Sequence, residues 1–405
     1  MTSRASLTAR DADVLIVGAG PAGLTLACAL SDLGLSVLLV EQQRLCALEA
    51  PAEDGRDIAL THRARRVMEE LGLWQHLPAD QIAPLREARV LDGDSPTVLR
   101  FAATRDDASA LGWLVPNHLI RHAAWTAAIA RHGVRWECGA RVSALDVGTE
   151  RARVTLADGR CLSAAFVVAA DSRFSQTRRL AGIGASMQDF GRSVIVGRVA
   201  HERDNAGIAW ECFRYGNTLA LLPLNNDQSS AVVTVASNQA SHWMALPDDE
   251  FAARIEAQSD RRLGAMRAVG ARHHYPLVGV YAHRFVAPRF ALIGDAAVGM
   301  HPVTAHGWNF GLYGVEVLAR ELKAAMAAGR DIGALPALRA FEREHRRTTL
   351  PVYLGTNAVV SLFCDERALP KLARRAVLTL AEKIPPFSGL IKAAITRQLV
   401  GESRR

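Results

Sequence analysis

Three observations in the 405-residue sequence predict an α/β fold: a Rossmann-like nucleotide-binding domain, an inserted mainly β domain and a helical C-terminal region. An apolar run, Asp13–Val17, stops at Gly18-Ala19-Gly20-Pro21-Ala22-Gly23, and a helical pattern follows. From Gly191 to Arg284 the character changes to alternating or apolar runs separated by turn residues. The last seventy residues read as helices, interrupted at Pro351, Pro370 and Pro385-Pro386.

The first unit is the most specific. Asp13–Val17 (DVLIV) is apolar beyond its first residue, as expected of a strand covered on both faces. Gly18 permits a tight turn, Gly20 lets a pyrophosphate approach the backbone, and Gly23 lets the next helix pack on the strand. After Gly23 a helical pattern runs through Leu33 to a turn at Gly34. Leu35–Val40 is a second buried strand and ends in Glu41, eighteen residues after Gly23, where a carboxylate can hold a ribose hydroxyl. A lone GxGxxG is weak evidence; strand, helix, second strand and acid in place make it a dinucleotide fingerprint. The uncharged run Val14–Ser31 has the length of a membrane span, but GAGPAG at its middle divides it into strand, turn and helix.

Gly55–Thr61 leads into another helix, with Thr61 the N-cap of HRARRVMEELGL and Arg56 just ahead of it as a candidate ligand contact. Ala88–Leu91 and Val98–Phe101 are strand-like, and Asn117–Ala130 is helical with Arg121 near its start. Strands follow at Val134–Cys138, Arg141–Asp146, Arg153–Leu156 and Ala165–Ala170, with a hairpin turn at Ala157-Asp158-Gly159-Arg160. Asp171–Arg178 is a polar loop at a strand end, placed like the first loop but without its glycines. In the β region, Ser193–Val199, Ala209–Tyr215, Thr218–Leu224 and Ala231–Ser237 are strands. A helical insert (Asp248–Val269) and a long strand (His273–Phe285) complete it. Such a sheet suits one wall of a pocket for a large apolar ligand; Trp210 and Tyr215 fit that wall or a β core.

Phe290–Ile293 then stops at Gly294-Asp295, a Pro/Thr/His/Gly loop follows, and the pattern turns helical from Asn309. A helix start offers unpaired N–H groups to an electron-rich ligand, and Asp295 can accept hydrogen bonds from ligand hydroxyls. The six cysteines show no CxxC and no metal-like spacing, which suits a reducing compartment. No signal-peptide pattern precedes Asp11 and Asp13. Nearly all of the net charge of +7 sits in Lys371–Arg405, where eight basic residues face two acidic ones. That segment suits anionic lipid headgroups; no nucleic-acid motif accompanies it, so no nucleic-acid partner is expected. His301, His306 and His273-His274 lack a companion ligand set, so no metal is expected.

With its loops Gly18–Gly23, Asp171–Arg178 and Gly294–Asn309, the chain resembles the FAD-dependent aromatic hydroxylases built like para-hydroxybenzoate hydroxylase. The segments GRDIALTH, AADSRFSQTRR, DFGRSVIV, TLALLPL, YPLVGVYAHRF and GDAAVGMHPVTAHG are most similar to the ubiquinone-biosynthesis hydroxylases, particularly the 5-demethoxyubiquinol 5-hydroxylase type. The expected organisation is an FAD-binding domain from residues 1–72, 112–182 and 285–335, and a substrate-binding β-sheet domain from 73–111 and 183–284. A C-terminal helical region (336–405) follows.

The resemblance implies that Gly18, Gly20, Pro21, Ala22 and Gly23 carry the pyrophosphate and Glu41 the adenosine ribose. It implies that Arg56, Arg121 and Asp171 contact the cofactor, Gly294 and Asp295 hold the ribityl chain, and Pro302, Gly307 and Asn309 line the flavin ring. His306 is the titratable candidate beside that ring, able to hydrogen-bond flavin or substrate or to assist phenol deprotonation, or else to serve only loop structure. Three positions depart from the family pattern: Asp171-Ser172 where Asp-Gly is usual, Val298 where His often stands, and Ala305-His306 where Gly-Gln is usual.

The implied reaction is hydroxylation of a polyprenylated phenol or quinol in ubiquinone biosynthesis, using O2 through a flavin hydroperoxide. NAD(P)H or another electron donor would act transiently, because only one complete GxGxxG is present and Gly182-Ile183-Gly184 lacks the third glycine. The implied location is a bacterial-type cytoplasm with peripheral inner-membrane contact, and a complex with other ubiquinone-synthesis enzymes is consistent with it. The alternatives are another FAD-dependent hydroxylase, an epoxidase, a prenyl-lipid reductase or a non-catalytic FAD-binding subunit. A flavin halogenase is disfavoured, since none of the seven tryptophans forms Trp-x-Trp.

Overall fold

The computed structural model describes residues 10–92, 98–102, 110–213, 217–300 and 307–364. Its first sheet is built on the buried strand Ala12–Val17, which pairs in parallel with Val37–Glu41 on one side and Cys161–Ala169 on the other. Val134–Cys138 and Phe290–Leu292 extend the parallel set outward. The expected hairpin at Ala157–Arg160 joins Ala152–Leu156 to Cys161–Ala169 antiparallel. Parallel strands need covering on both faces, and their near-continuous apolar sequences meet that need. The helix Pro21–Ser31 is buried from Gly23 to Leu30 and joins Asn117–Ile129 and Gly307–Ala327 in one core with the sheet.

A second sheet is ordered 298–299, 266–282, 185–201, 228–236, 218–223, 208–213, 87–92 and 98–102. Its two seventeen-residue strands, Ala185–His201 and Met266–Ala282, pair antiparallel with irregularities at Asp189/Ser193 and Val196/Arg198. Alternation divides this sheet into unlike faces. Ile195, Val199, Trp210, Cys212, Leu219, Leu221, Val233 and Val235 pack beneath Trp243, Phe251 and Ile255 from the helices Ala240–Ala245 and Asp248–Gln258. Trp210 is therefore core on the sealed face. On the other face Glu211, Ala220, Leu222, Val232 and Tyr275 all remain half-exposed.

Two expectations need correction. The helical insert does not reach Val269: the helix ends at Gln258, and Asp260, Arg261 and Gly264 adopt left-handed φ of 53°, 53° and 79°. Met266–Val269 are instead captured as strand by pairing with His201–Arg198. Nor does Pro351 interrupt the last described helix, which runs Leu335–Cys364 through it. Proline removes one helical bond, but the adjoining turns are anchored. Thr349 is fully buried and its hydroxyl donates to the His345 carbonyl, and Tyr353 is buried one turn beyond the Thr349–Tyr281 contact. Val298, where a histidine departure was noted, is a buried strand residue paired opposite Tyr281.

Candidate functional site

The parallel strands place their carboxyl ends along one edge, where ligands of open α/β sheets bind. Gly18 follows the first strand, Glu41 ends the second, Asp171 follows Ala169-Ala170, and Gly294 follows Leu292-Ile293. Three sequence-distant loops thus meet at one edge.

The first loop depends on missing side chains. Gly18 has φ +103° and donates its N–H to the Val40 carbonyl at 2.8 Å; a Cβ there would lie 2.6 Å from the Ala170 carbonyl oxygen. A Cβ on Gly23 would lie 1.9 Å from the Gly18 carbonyl oxygen, so this glycine is what lets helix and loop touch. Gly20 differs: a Cβ there would meet nothing within 4 Å. It caps the helix without any side-chain hydrogen bond, with Pro21 in the first turn. An uncapped helix start beneath open space is an anion seat. Glu41 is buried, and its carboxylate accepts from Ala19 N at 2.7 Å and Gln43 N at 2.8 Å, tying the second strand to the loop.

The second and third loops are held by side chains. Asp171 accepts from the Ser175 hydroxyl and from both the backbone N and hydroxyl of Thr177. Ser175 in turn caps Gln176–Leu180 by accepting from Arg178 N. Arg178 is buried and donates to the carbonyls of Arg173 and Ala296, which stitches the second loop to the third. Arg173 pairs with Asp295 at 2.9 Å and donates to the Val278 carbonyl of the long strand. Gly294, at φ +57°, faces Ala22 of the first helix: its Cβ would come within 3.0 Å of that methyl. Arg173, Ser175, Thr177 and Arg178 were not singled out from sequence; the available signal was a polar run, DSRFSQTRR, at a strand end without glycines.

Arg56 forms a third cluster. It pairs with Asp54 at 2.5 Å and lies 5.3 Å from the Tyr275 ring centroid, while Tyr275 donates to the Asp54 carbonyl and Asn117 to the Asp54 carboxylate. Burial alone would raise Asp54, but the Arg56 hydrogen bond and charge, with Asn117, hold it below the usual range. Next to it, the fully buried Asp57 carboxylate pairs with Arg198 at 2.9 Å, and there burial wins and raises the carboxyl. Asp57–Leu60 is a short strand that the sequence did not separate, and Thr61 caps the next helix as expected. Asn309 donates to the Ala59 carbonyl and accepts from Thr61 N, so its side chain fixes this segment to the start of the helix Gly307–Ala327. Beside Gly307, which has open space, the Trp308 indole N–H is buried with no acceptor among the described residues. Arg121 is half-buried on its helix and pairs with no described residue. Pro302 and His306 lie outside the described residues, as do Tyr215 and Lys371–Arg405.

The half-open face of the second sheet looks toward this assembly, since Tyr275 and Arg198 on that face contact Asp54 and Asp57. Glu211 sits on it, paired across to Ala220 and Val90. Its surface is partly open, yet desolvation alone lifts its carboxyl to about 7. The neighbours on this face strip water from the carboxyl although part of its surface stays open. Open space over Gly20, an uncapped helix start and an orphan indole donor near Gly307 fit an extended ligand with a diphosphate at one end and a polar ring at the other.

Comparison with known proteins agrees with this geometry. A family model described as the FAD binding domain matches residues 11–337. The chain is 44% identical to the ubiquinone hydroxylase UbiM of Neisseria meningitidis, covering 96% of this chain and 84% of that protein. It is 39% identical to the ubiquinone hydroxylase UbiL of Rhodospirillum rubrum, over 94% of this chain and 88% of that one. Among solved structures, p-nitrophenol 4-monooxygenase PnpA from Pseudomonas putida superposes with a TM-score of 0.75 at 17% identity, covering 97% and 99% of the two chains, which shows a shared fold. The chain belongs to the FAD-binding-domain family and, within it, to the ubiquinone hydroxylases.

Proposed function

We propose that this protein is an FAD-dependent monooxygenase that hydroxylates the aromatic ring of a polyprenylated phenol or quinol in ubiquinone synthesis, with 5-demethoxyubiquinol as substrate. The observation that carries the reading is the meeting of three strand-end loops at one sheet edge, faced by the half-open side of an apolar sheet. When bound, FAD supplies the oxygen-transfer chemistry; the chain binds, orients and excludes water.

In this reading Gly20 and the N–H groups following Pro21 would hold the diphosphate, with Gly18, Ala22 and Gly23 forming the floor, and Glu41 would hold the adenosine ribose. Asp171 acts by holding the second loop. Gly294 and Asp295 face the ribityl chain, with Arg56 and Arg121 as cationic contacts. Gly307 and Asn309, with Pro302 by the resemblance, would line the flavin ring, and the positive end of the helix Gly307–Ala327 would stabilise negative charge on it. His306, immediately before Gly307 in the chain, would be the titratable candidate for that ring. The first sheet with its helices would form the FAD-binding domain and the second sheet the substrate domain, with Val298-Gly299 of the third loop's segment pairing into the second sheet. NAD(P)H or another donor, acting from a transient site, would supply the electrons.

Among the described residues no helix is long and apolar enough to cross a membrane. Peripheral contact through the basic segment Lys371–Arg405 would bring the enzyme to a membrane-dissolved substrate. The test is expression in strains lacking each ubiquinone hydroxylase, with quinone intermediates identified by mass. Restored ubiquinone in the strain that accumulates 5-demethoxyubiquinone is expected; restoration in none of them overturns the reading.

A further inference from the structure

Glu211 is the one charged side chain among the described residues at the centre of the sheet's half-open face. Around it on that face stand Ala209 and Phe213 from its own strand, Ala220 and Leu222 from one neighbour, and Ala88 and Val90 from the other. No ion pair or hydrogen bond to a described residue accounts for it, and desolvation is the sole cause of its shifted carboxyl. Arg198 and His273 lie on strands that follow across the face, three and four strand spacings away, or about 14 Å and about 19 Å. Arg198 is engaged by Asp57, and Tyr275, on the same strand as His273, is engaged by Asp54. Burying in an apolar wall a carboxylate that no described residue pairs is costly unless a ligand completes it.

Resting on the hydroxylase reading above, we propose that Glu211 is a catalytic residue: it receives the ring hydroxyl of the substrate and takes its proton as the ring is hydroxylated. The phenolic O–H breaks, the proton moves to a carboxylate oxygen, and the electron pair stays on the ring oxygen. That charge raises electron density at the adjacent ring carbon, which takes one oxygen atom of O2 as the O–O bond breaks; the C–H proton at that carbon is then lost to restore the aromatic ring, and the two electrons of the reduced cofactor leave the second oxygen atom as water. A carboxylate normally titrating near 4.5 and lifted to about 7 is matched to this transfer at neutral pH.

The test is single-turnover oxidation of FAD-loaded, pre-reduced enzyme with a one-isoprene 5-demethoxyubiquinol, following hydroxylated product by mass from about pH 5.5 to about pH 9. The wild-type rate should fall as pH drops through about 7. Glu211→Gln should slow product formation about 100-fold and abolish that acidic limb. Its FAD content and spectrum should be unchanged. Glu211→Asp should keep the limb at a reduced rate, and it decides the matter if the Gln variant loses FAD. A Gln variant with wild-type rate and profile, or a wild-type limb that runs the other way, overturns the role of Glu211 alone. No hydroxylated product from the wild type overturns the hydroxylase reading and this inference with it.

Discussion

Two loops leave neighbouring strands of one sheet at the same edge, and they are built on opposite principles. Val17 and Ala169 are register partners, so Gly18 and Asp171 begin their turns side by side. The Gly18–Gly23 loop works by subtraction: glycines stand where a Cβ would meet backbone, and the helix start is left uncapped. The Asp171–Arg178 loop works by addition. Asp171, Ser175, Thr177 and Arg178 form a hydrogen-bonded lattice, and within it Ser172 holds φ +112°, where glycine is favoured. The first spends the Gly18 and Ala19 N–H groups on the second strand but leaves its helix start uncapped for a ligand; the second consumes its polar groups internally. A polar loop at a ligand edge is therefore not by that fact a polar ligand site.

The contrast can be broken from either side. The largest effect should come from Gly23→Ala, because its Cβ would sit 1.9 Å from a backbone oxygen and neither partner is a flexible side chain. A loss of about 3 kcal/mol or more is expected, with loss of bound FAD, measured by thermal denaturation and flavin absorbance. Retention of both would mean that the helix and loop can slide apart freely. Asp171→Ala should cost about 2–4 kcal/mol, since three donors lose their acceptor and Ser175 and Thr177 are buried. If the lattice is structural, added FAD should recover only the stability expected of ligand binding, and the affinity of folded protein for FAD should change little.

The same contrast sets what could be read from sequence. Glycines at fixed spacing between two apolar strands declare the first loop, because subtraction leaves a visible pattern. The second loop was visible only as a strand end with polar residues; which hydroxyl meets Asp171 depends on turn geometry. Ser172 was visible as a departure, but not that it would keep the backbone conformation of the glycine it replaces. The strand Asp57–Leu60 exists through pairing with Gly112–Pro116, a partner fifty-odd residues away that local pattern does not reveal. Met266–Val269 carries a helical local pattern that its long-range pairing with Arg198–His201 overrides. Glu211 is legible in the sequence as a lone acid alternating with Trp210 and Cys212 in an apolar strand, whereas the face it occupies depends on the pairing of that strand.

The sheet's unlike faces offer a third, smaller test. A carboxyl raised from 4.5 to about 7 contributes stability that is full below the unfolded value and lost as pH rises through the folded one. Without substrate, then, wild-type protein should lose on the order of 1–3 kcal/mol between about pH 4 and about pH 8 from this group. Glu211→Gln cannot titrate, so its stability relative to wild type should rise across that window. Thermal denaturation of both proteins at the two pH values checks it. A gap independent of pH would place Glu211 in contact with bulk water and return that face of the sheet to ordinary surface.

The smallest expected effect bears most directly on the two ways of building a loop. Ser172 is exposed, and its described hydrogen bond is made by its carbonyl, which accepts from Ser175 N, so its side chain has no visible task. Its φ of +112° costs a non-glycine residue on the order of 1–3 kcal/mol. Glycine would remove that cost while returning about 0.4–1 kcal/mol to the unfolded chain. Ser172→Gly should therefore stabilise the protein by about 1 kcal/mol, a rise of roughly 1–3 °C in Tm. With the lattice around it intact, FAD content should not fall. A stabilised variant would show that Asp171, Ser175 and Thr177 enforce the turn and that the serine is merely carried by them. A destabilised one would show that the serine hydroxyl holds something at this edge, and the two loops would then differ less in principle than their sequences suggest.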